Sequence, residues 1–354
     1  MADMNLEKQS FGTTQRGDEV TRYTLTNQRG HSVQLINLGA TIVSVNVPDR
    51  SGQLANVNLG FPSIDGYLQR HPYFGSTVGR VCNRIANGRF ELEGKVYQLA
   101  TNLGRHHLHG GLVGFDAAVW QCEPLDDSDA VGLRMQLVSE DGDEGYPGTL
   151  HVRVDFSWND DNELSYTFVA HADSPTHVNL TNHAYWNLAG VGSGNIGRHV
   201  VTVEADQMLE VDDDLIPTGR KIDVAGTPLD FRHPTPIGDR IDQLPATKGY
   251  DHCYVLRGEP NTLRKACFTL DPSSGRTMEI LTTQPAMQLY TGNHLSGQAD
   301  AGGFGMHEAF CFETQHPPNA ANLPAFESTR LDPGQRFQQT TIHRFGVREN
   351  TSPE

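Results

Sequence analysis

Leu150-His151-Val152-Arg153-Val154-Asp155-Phe156-Ser157-Trp158 alternates apolar and polar residues without a break. It is followed by Asn159-Asp160-Asp161-Asn162, and then by the same alternation through Leu164, Tyr166 and Phe168. Successive side chains of a strand point to opposite faces, so this period of two marks one dry and one wet face, and the polar tetrad between the runs supplies the turn. The stretch predicts an antiparallel hairpin. Phe90 and Leu92 reverse near Glu93-Gly94 into Val96, Tyr97 and Leu99, and Pro272-Ser273-Ser274-Gly275 separates Phe268–Leu270 from Met278–Ile280. Each reads as a further hairpin. Val33–Leu38, Ile42–Val47, Leu133–Val138 and Val200–Val203 are short and rich in branched side chains, which suit a pleated, half-buried surface.

Long amphipathic helical patterns are missing, while 36 Gly and 19 Pro provide for many turns. The fold class is therefore all-β, a large antiparallel β-sandwich. With no low-complexity linker and no fixed repeat, the 354 residues are read as one domain, 1–354, with a core of about 10–346. Gly190–Gly197 and Ala299–Gly305 are candidates for flexible loops.

The composition narrows the function. No long uncharged apolar run is present, which excludes a transmembrane helix, and Met1–Gly12 lacks the apolar centre of a secretory leader. Five dispersed cysteines without a CxxC pair suit reduced thiols. Together these predict the cytoplasm and no disulfide framework. A formal net charge of −16 disfavours nucleic acid and anionic membranes as partners and suits neutral ligands.

Several motifs are decoys. Gly192-Ser193-Gly194-Asn195-Ile196-Gly197 matches GxGxxG, but His199–Val203 after it is strand-like, so the helix needed to receive a pyrophosphate is lacking. His307-Glu308 lacks a second His at helical spacing, and no nucleophile elbow or P-loop occurs. His106 and His107 are adjacent and should face opposite ways on a strand, without a carboxylate or Cys at ligand spacing, so they are read as solvent or supporting residues rather than metal ligands.

Six short polar signatures remain: Gly79–Ile85, Leu108–Gly111, Asn182–Leu188, Tyr250–His252, Gln288–Asn293 and Phe312–Gln315. Each holds a side chain able to donate, accept or transfer a proton. Their order, from Leu38-Gly39-Ala40 to Pro317–Asn319, resembles the galactose mutarotase, or aldose 1-epimerase, family over nearly the whole chain. The resemblance implies a mutarotase-like supersandwich with its site in a cleft on one curved sheet. It also implies interconversion of the α and β anomers of free aldohexoses such as galactose and glucose.

In that chemistry the anomeric hydroxyl loses a proton, the ring oxygen gains one, and the ring opens and recloses. One acid and one base suffice, each contributing roughly 10²–10⁴-fold, so no cofactor and no metal are expected. By resemblance Glu313 is the base and His183 the acid. Glu313 is expected ionised at neutral pH, with Phe310 and Phe312 suggesting partial burial, and His183 is expected to titrate near its ordinary value of about 6.5. Because the reaction is reversible, the acid and base labels are directional. Asn83, Arg84, His109, Asp251 and Gln288 match the sugar-binding positions. Trp186 borders either the sugar or the core, and Cys82, where the family often has a small apolar residue, is read as packing.

Other readings weighed are a hexose-6-phosphate epimerase, which needs a cationic cluster, and a noncatalytic carbohydrate-binding protein, which needs no matched proton pair. A glycoside hydrolase would need two flanking carboxylates. The expected partner is a free monosaccharide, and the expected assembly a monomer or homodimer.

Overall fold

A computed structural model describes residues 4–349 and is built almost entirely of antiparallel strands. The hairpin expected from the alternation is its centre: Leu150–Asn159 pairs with Glu163–Ala172, placing Trp158 opposite Leu164, Phe156 opposite Tyr166 and Val154 opposite Phe168. This hairpin belongs to a nine-stranded sheet whose order is Gln121–Leu125, Ala130–Ser139, Leu150–Asn159, Glu163–Ala172, Phe337–Val347, Arg276–Thr282, Arg264–Leu270, Val200–Val203, Thr235–Pro236. The hairpins Arg89–Leu92 with Lys95–Gln98, and Arg264–Leu270 with Arg276–Thr282, form as the sequence predicts.

Two five-stranded sheets complete the layers. One runs through the first five strands in chain order, Asn5–Thr13 to Leu54–Asn56. The other has the order Pro217–Asp223, Gln207–Val211, Asp251–Val255, Ala286–Tyr290, Cys311–Gln315. The main apolar cluster joins all three sheets, with Phe156 and Tyr166 from the nine-stranded sheet, Met287 and Phe312 from the second five-stranded sheet, and Leu35 and Val45 from the first. Burying each such side chain contributes about 1.5–3 kcal/mol, which is why the inner faces are mostly apolar. Thr314 and Thr341 hydroxyls meet at 2.7 Å across this interface.

Among the described residues the one α-helical segment is Ile64–Tyr67, and no helix is long and apolar enough to cross a membrane. Gly192–Gly197 is a loop whose Asn195 Oδ1 accepts the Gly197 N–H, and the strand Val200–Val203 follows it, so the GxGxxG match is a turn. All five cysteines are unpaired, four of them buried.

Candidate active site

Strand periodicity assembles one wall. In the sheet containing Asp251–Val255, Ala286–Tyr290 and Cys311–Gln315, Gln288 lies opposite both Cys253 and Glu313, and Tyr290 lies opposite both Asp251 and Cys311. Directly opposed residues share a face, so Asp251, Gln288, Tyr290 and Glu313 project to one side while Met287, Leu289 and Phe312 enter the core. Phe310 and Phe312 therefore point away from Glu313. Its burial, to 2% exposure, comes from its own face and from the segments packed over it.

The second wall is made by turns. Thr181–Asn182 pairs with Thr77–Val78, and His183 follows, its N–H donating to Ser76 C=O while its own C=O accepts the Gly75 N–H. Asn182 Nδ2 donates to Gly75 C=O at 2.7 Å, which explains an Asn beside the imidazole. Arg84–Ile85 pairs with His107–Leu108, and Asn83 and His109 both adopt positive φ, 59° and 51°, Asn83 just before its short strand and His109 just after its own. Asn is enriched in this region, whereas His109 is held there by exchange with Asn83: His109 N–H donates to Asn83 C=O, and Asn83 N–H donates to His109 Nδ1 at 3.2 Å.

These elements bring the seven sequence-predicted residues together. His183 Nε2 lies 3.7 Å from Glu313 Oε1. A chain of polar contacts runs beside the pair: Asn83 Oδ1 accepts from Arg84, Arg84 NH2 reaches Asp251 Oδ2 at 3.4 Å, and Gln288 Nε2 donates to Asp251 Oδ1 at 2.6 Å. Asn83 thus orients the guanidinium. His183 Nδ1, Glu313 Oε2, Gln288 Oε1 and Arg84 Nε are buried without a hydrogen-bond partner among the described residues. Buried polar atoms are rarely left unpaired in a folded protein, and these four gather around the His183–Glu313 pair.

Burial also resets the protonation states. It raises the Glu313 carboxyl to about 8, with the Asp251 charge adding to the rise and Arg84 opposing it. Burial lowers His183 to about 4 and holds His109 well below its ordinary value, with the neighbouring His183 and Arg84 pushing His109 the same way. Against an ionised Glu313 beside a His183 titrating near 6.5, burial shifts both groups toward their neutral forms. Desolvation disfavours both charged forms, and 3.7 Å is too long for a hydrogen bond to offset it.

His109, His183 and Glu313 place one ligand-capable atom each within 4.8 Å of the others. This arrangement does not suit a cation, because His109 Nδ1 already accepts the Asn83 N–H. The neutral ring therefore carries its proton on Nε2, where it donates a hydrogen bond instead of a lone pair. A buried donor at that point fits a sugar oxygen.

Other residues separate from the site. His106 and His107 are buried, not solvent-facing. His106 Nδ1 accepts the Asn87 N–H, while His107 bridges Ala100 C=O and Tyr146 Oη, each at 2.7 Å. Arg80 turns away to donate to Ser139, Glu140, Pro147 and Gly148. Trp186 is fully buried against His343 and Phe345, in the core. Cys82 is fully buried with Sγ 3.4 Å from Gln315 Oε1.

Sequence reasoning missed an aromatic enclosure. The His183 ring lies nearly parallel to Tyr185 (4.9 Å, 12°) and to Tyr73 (5.9 Å, 16°), with Tyr290 edge-on at 6.4 Å. Tyr185 and Tyr290 were legible as residues two positions beyond His183 and Gln288. Tyr73 left no such signal.

Comparison with known proteins gives the family. The aldose 1-epimerase family model matches residues 21–344. The galactose mutarotase of Bos taurus is 45% identical over 319 residues, covering 89% of this chain and 91% of that one. The aldose 1-epimerase of Escherichia coli K12 is 33% identical over 329 residues, covering 91% and 94%. The crystal structure of a galactose 1-epimerase from Lactobacillus acidophilus superposes with a TM-score of 0.86 at 29% identity, covering 98% of this chain and all (100%) of that one. With the family model spanning most of its length and relatives of this similarity, the chain belongs to the aldose 1-epimerase family.

Proposed function

We propose that this protein interconverts the α and β anomers of free aldohexoses such as galactose and glucose, with Glu313 and His183 as the proton-transfer pair. The observation that supports the roles is the 3.7 Å approach of His183 Nε2 to Glu313 Oε1 among buried polar atoms that lack partners. In this reading the pair shares one exchangeable proton near neutral pH, held by Glu313 because burial raises its proton affinity and lowers that of His183. Moving that proton to His183 generates a carboxylate base and an imidazolium acid without a change in total charge. A hemiacetal between them can then give its anomeric proton to Glu313 while the ring oxygen receives one from His183. Closure on the other face runs the transfers in reverse, which restores the pair. General acid and base catalysis of roughly 10²–10⁴-fold each serves a reaction that water already supports.

Arg84, Asp251 and Gln288 form the binding rail, and His109 Nε2–H adds a fixed donor. The rail also weighs against other chemistries. Asp251 is the second carboxylate of the cleft, but Arg84 engages one of its oxygens and Gln288 the other, so it is poorly placed to serve as a glycosidase nucleophile. Arg84 is itself committed to Asp251, which leaves it ill-suited to a sugar phosphate. The working unit is read as one domain, because the main apolar cluster runs from Leu25 to Phe345. The unpaired cysteines support a reducing compartment, the cytoplasm.

Polarimetry of freshly dissolved α-galactose and α-glucose tests the reading. Wild-type protein should speed the rotation change without added metal or nucleotide, and Glu313→Gln and His183→Asn should each fold yet lose most of that rate. Wild-type rates in both variants would overturn the roles, and cleavage of a glycoside would overturn the reaction.

A further inference from the structure

The loop His71–Gly75 reaches the cleft from outside the recognised signatures and is fastened to the catalytic imidazole's own backbone. Gly75 N–H donates to His183 C=O, and Gly75 C=O accepts Asn182 Nδ2 at 2.7 Å. Gly75 has φ +67°, and a Cβ there would lie 1.9 Å from Ile42 O, so the loop can pass only as glycine. Phe74 is fully buried and packs edge-on against Tyr185 at 4.9 Å. Between these anchors Tyr73 takes φ +60°, a region uncommon for a bulky side chain. That backbone directs its ring to 5.9 Å from His183, nearly parallel at 16°, and to 4.8 Å from His109.

Strained residues persist where the surrounding structure holds them, and here the held ring covers both imidazoles. Burial first, then the Asp116 charge, raises the Tyr73 phenol to about 12, with Arg70 opposing them. Its ring, not a titrating hydroxyl, is what it offers near neutral pH.

We propose that Tyr73 is a positioning residue, whose ring packs on the His183 imidazole and keeps Nε2 directed at the oxygen it protonates. This rests on the acid role given to His183 above. His183 Nδ1 has no hydrogen-bond partner, so packing by Tyr73 and Tyr185 replaces the hydrogen bond that would otherwise orient the ring. A misplacement of about 1 Å can lower a rate roughly a hundredfold.

The test compares Tyr73→Asn, which removes the ring but tolerates positive φ, with Tyr73→Phe, which keeps it. Polarimetry with galactose, and circular dichroism for the fold, are run beside wild type. Tyr73→Asn should lower kcat by about tenfold to a hundredfold with KM nearly unchanged, and Tyr73→Phe should restore the wild-type rate. A wild-type kcat in Tyr73→Asn, a rise in KM alone, or an equal loss in Tyr73→Phe overturns the proposal. If Tyr73→Asn does not fold, Tyr73→Leu supplies bulk without a flat ring, and a wild-type kcat there also overturns it. An inactive wild type in the same assay refutes the mutarotase reading instead.

Discussion

Glu313→Gln should lose most of the activity while gaining stability relative to wild type as pH rises. The folded chain raises the Glu313 carboxyl from 4.5 to about 8, chiefly by burial, whereas the unfolded chain leaves it near 4.5. A group raised on folding gives stability that is fully present below its unfolded value and is lost as pH climbs through its folded value. At 1.36 kcal/mol for each tenfold change in proton affinity, the loss between about pH 4.5 and pH 9 amounts to about 5 kcal/mol, of which about 3 has gone by pH 7. Glutamine has nearly the same shape and no charge to bury, so it lacks this slope. Its amide, like Glu313 Oε2, has no obvious protein partner, which offsets a pH-independent 1–3 kcal/mol or so. The clean observable is thus the change of the gap with pH. Urea denaturation of both proteins at pH 5, 7 and 9 should show it widening by about 4 kcal/mol in favour of the variant. For a chain of 354 residues that corresponds to a Tm difference of roughly 5–7 °C. A gap that stays flat across this range would mean that the folded protein holds Glu313 at an ordinary carboxylate value, and the protonation argument would fall.

Because catalysis needs the pair to carry one proton, kcat/KM should be level between about pH 4 and 8, falling tenfold per pH unit below the first value and above the second. A single limb near 6.5 in polarimetric rates would contradict it. His183→Asn should lose roughly 10²–10⁴-fold in kcat with an unchanged circular dichroism spectrum, and retention of rate would remove His183 from the mechanism. Asp251→Asn should chiefly raise KM by loosening Arg84 and Gln288, measurable from the sugar dependence of the rate; an unchanged KM would show that the rail does not bind sugar. Arg80→Met should destabilise by about 3 kcal/mol or more, because the buried carbonyls of Pro147 and Gly148 and the half-buried one of Glu140 lose their donor. Thermal denaturation close to wild type would show that other donors replace it.

Much of this was legible in the chain. Alternation over Leu150–Trp158 placed Phe156 and Tyr166 inside before any partner strand was known, because the period of two is a property of the local backbone. Proton-bearing residues in short signatures could be recognised for the same reason, since identity and spacing are local. Distance and environment are not. Residues 83, 109, 183, 251, 288 and 313 converge only when the last sheet sets Gln288 between Asp251 and Glu313 and the Gly75 loop hangs His183 over them. Phe310 and Phe312 suggested the burial of Glu313 for the wrong reason, because they alternate into the core. What shifts both members of the pair toward their neutral forms is the exclusion of water by many segments at once, which no single stretch encodes. Tyr73 shows the same limit: its place on His183 depends on a glycine pressed against Ile42, a contact between distant parts of the chain that only the packed structure creates.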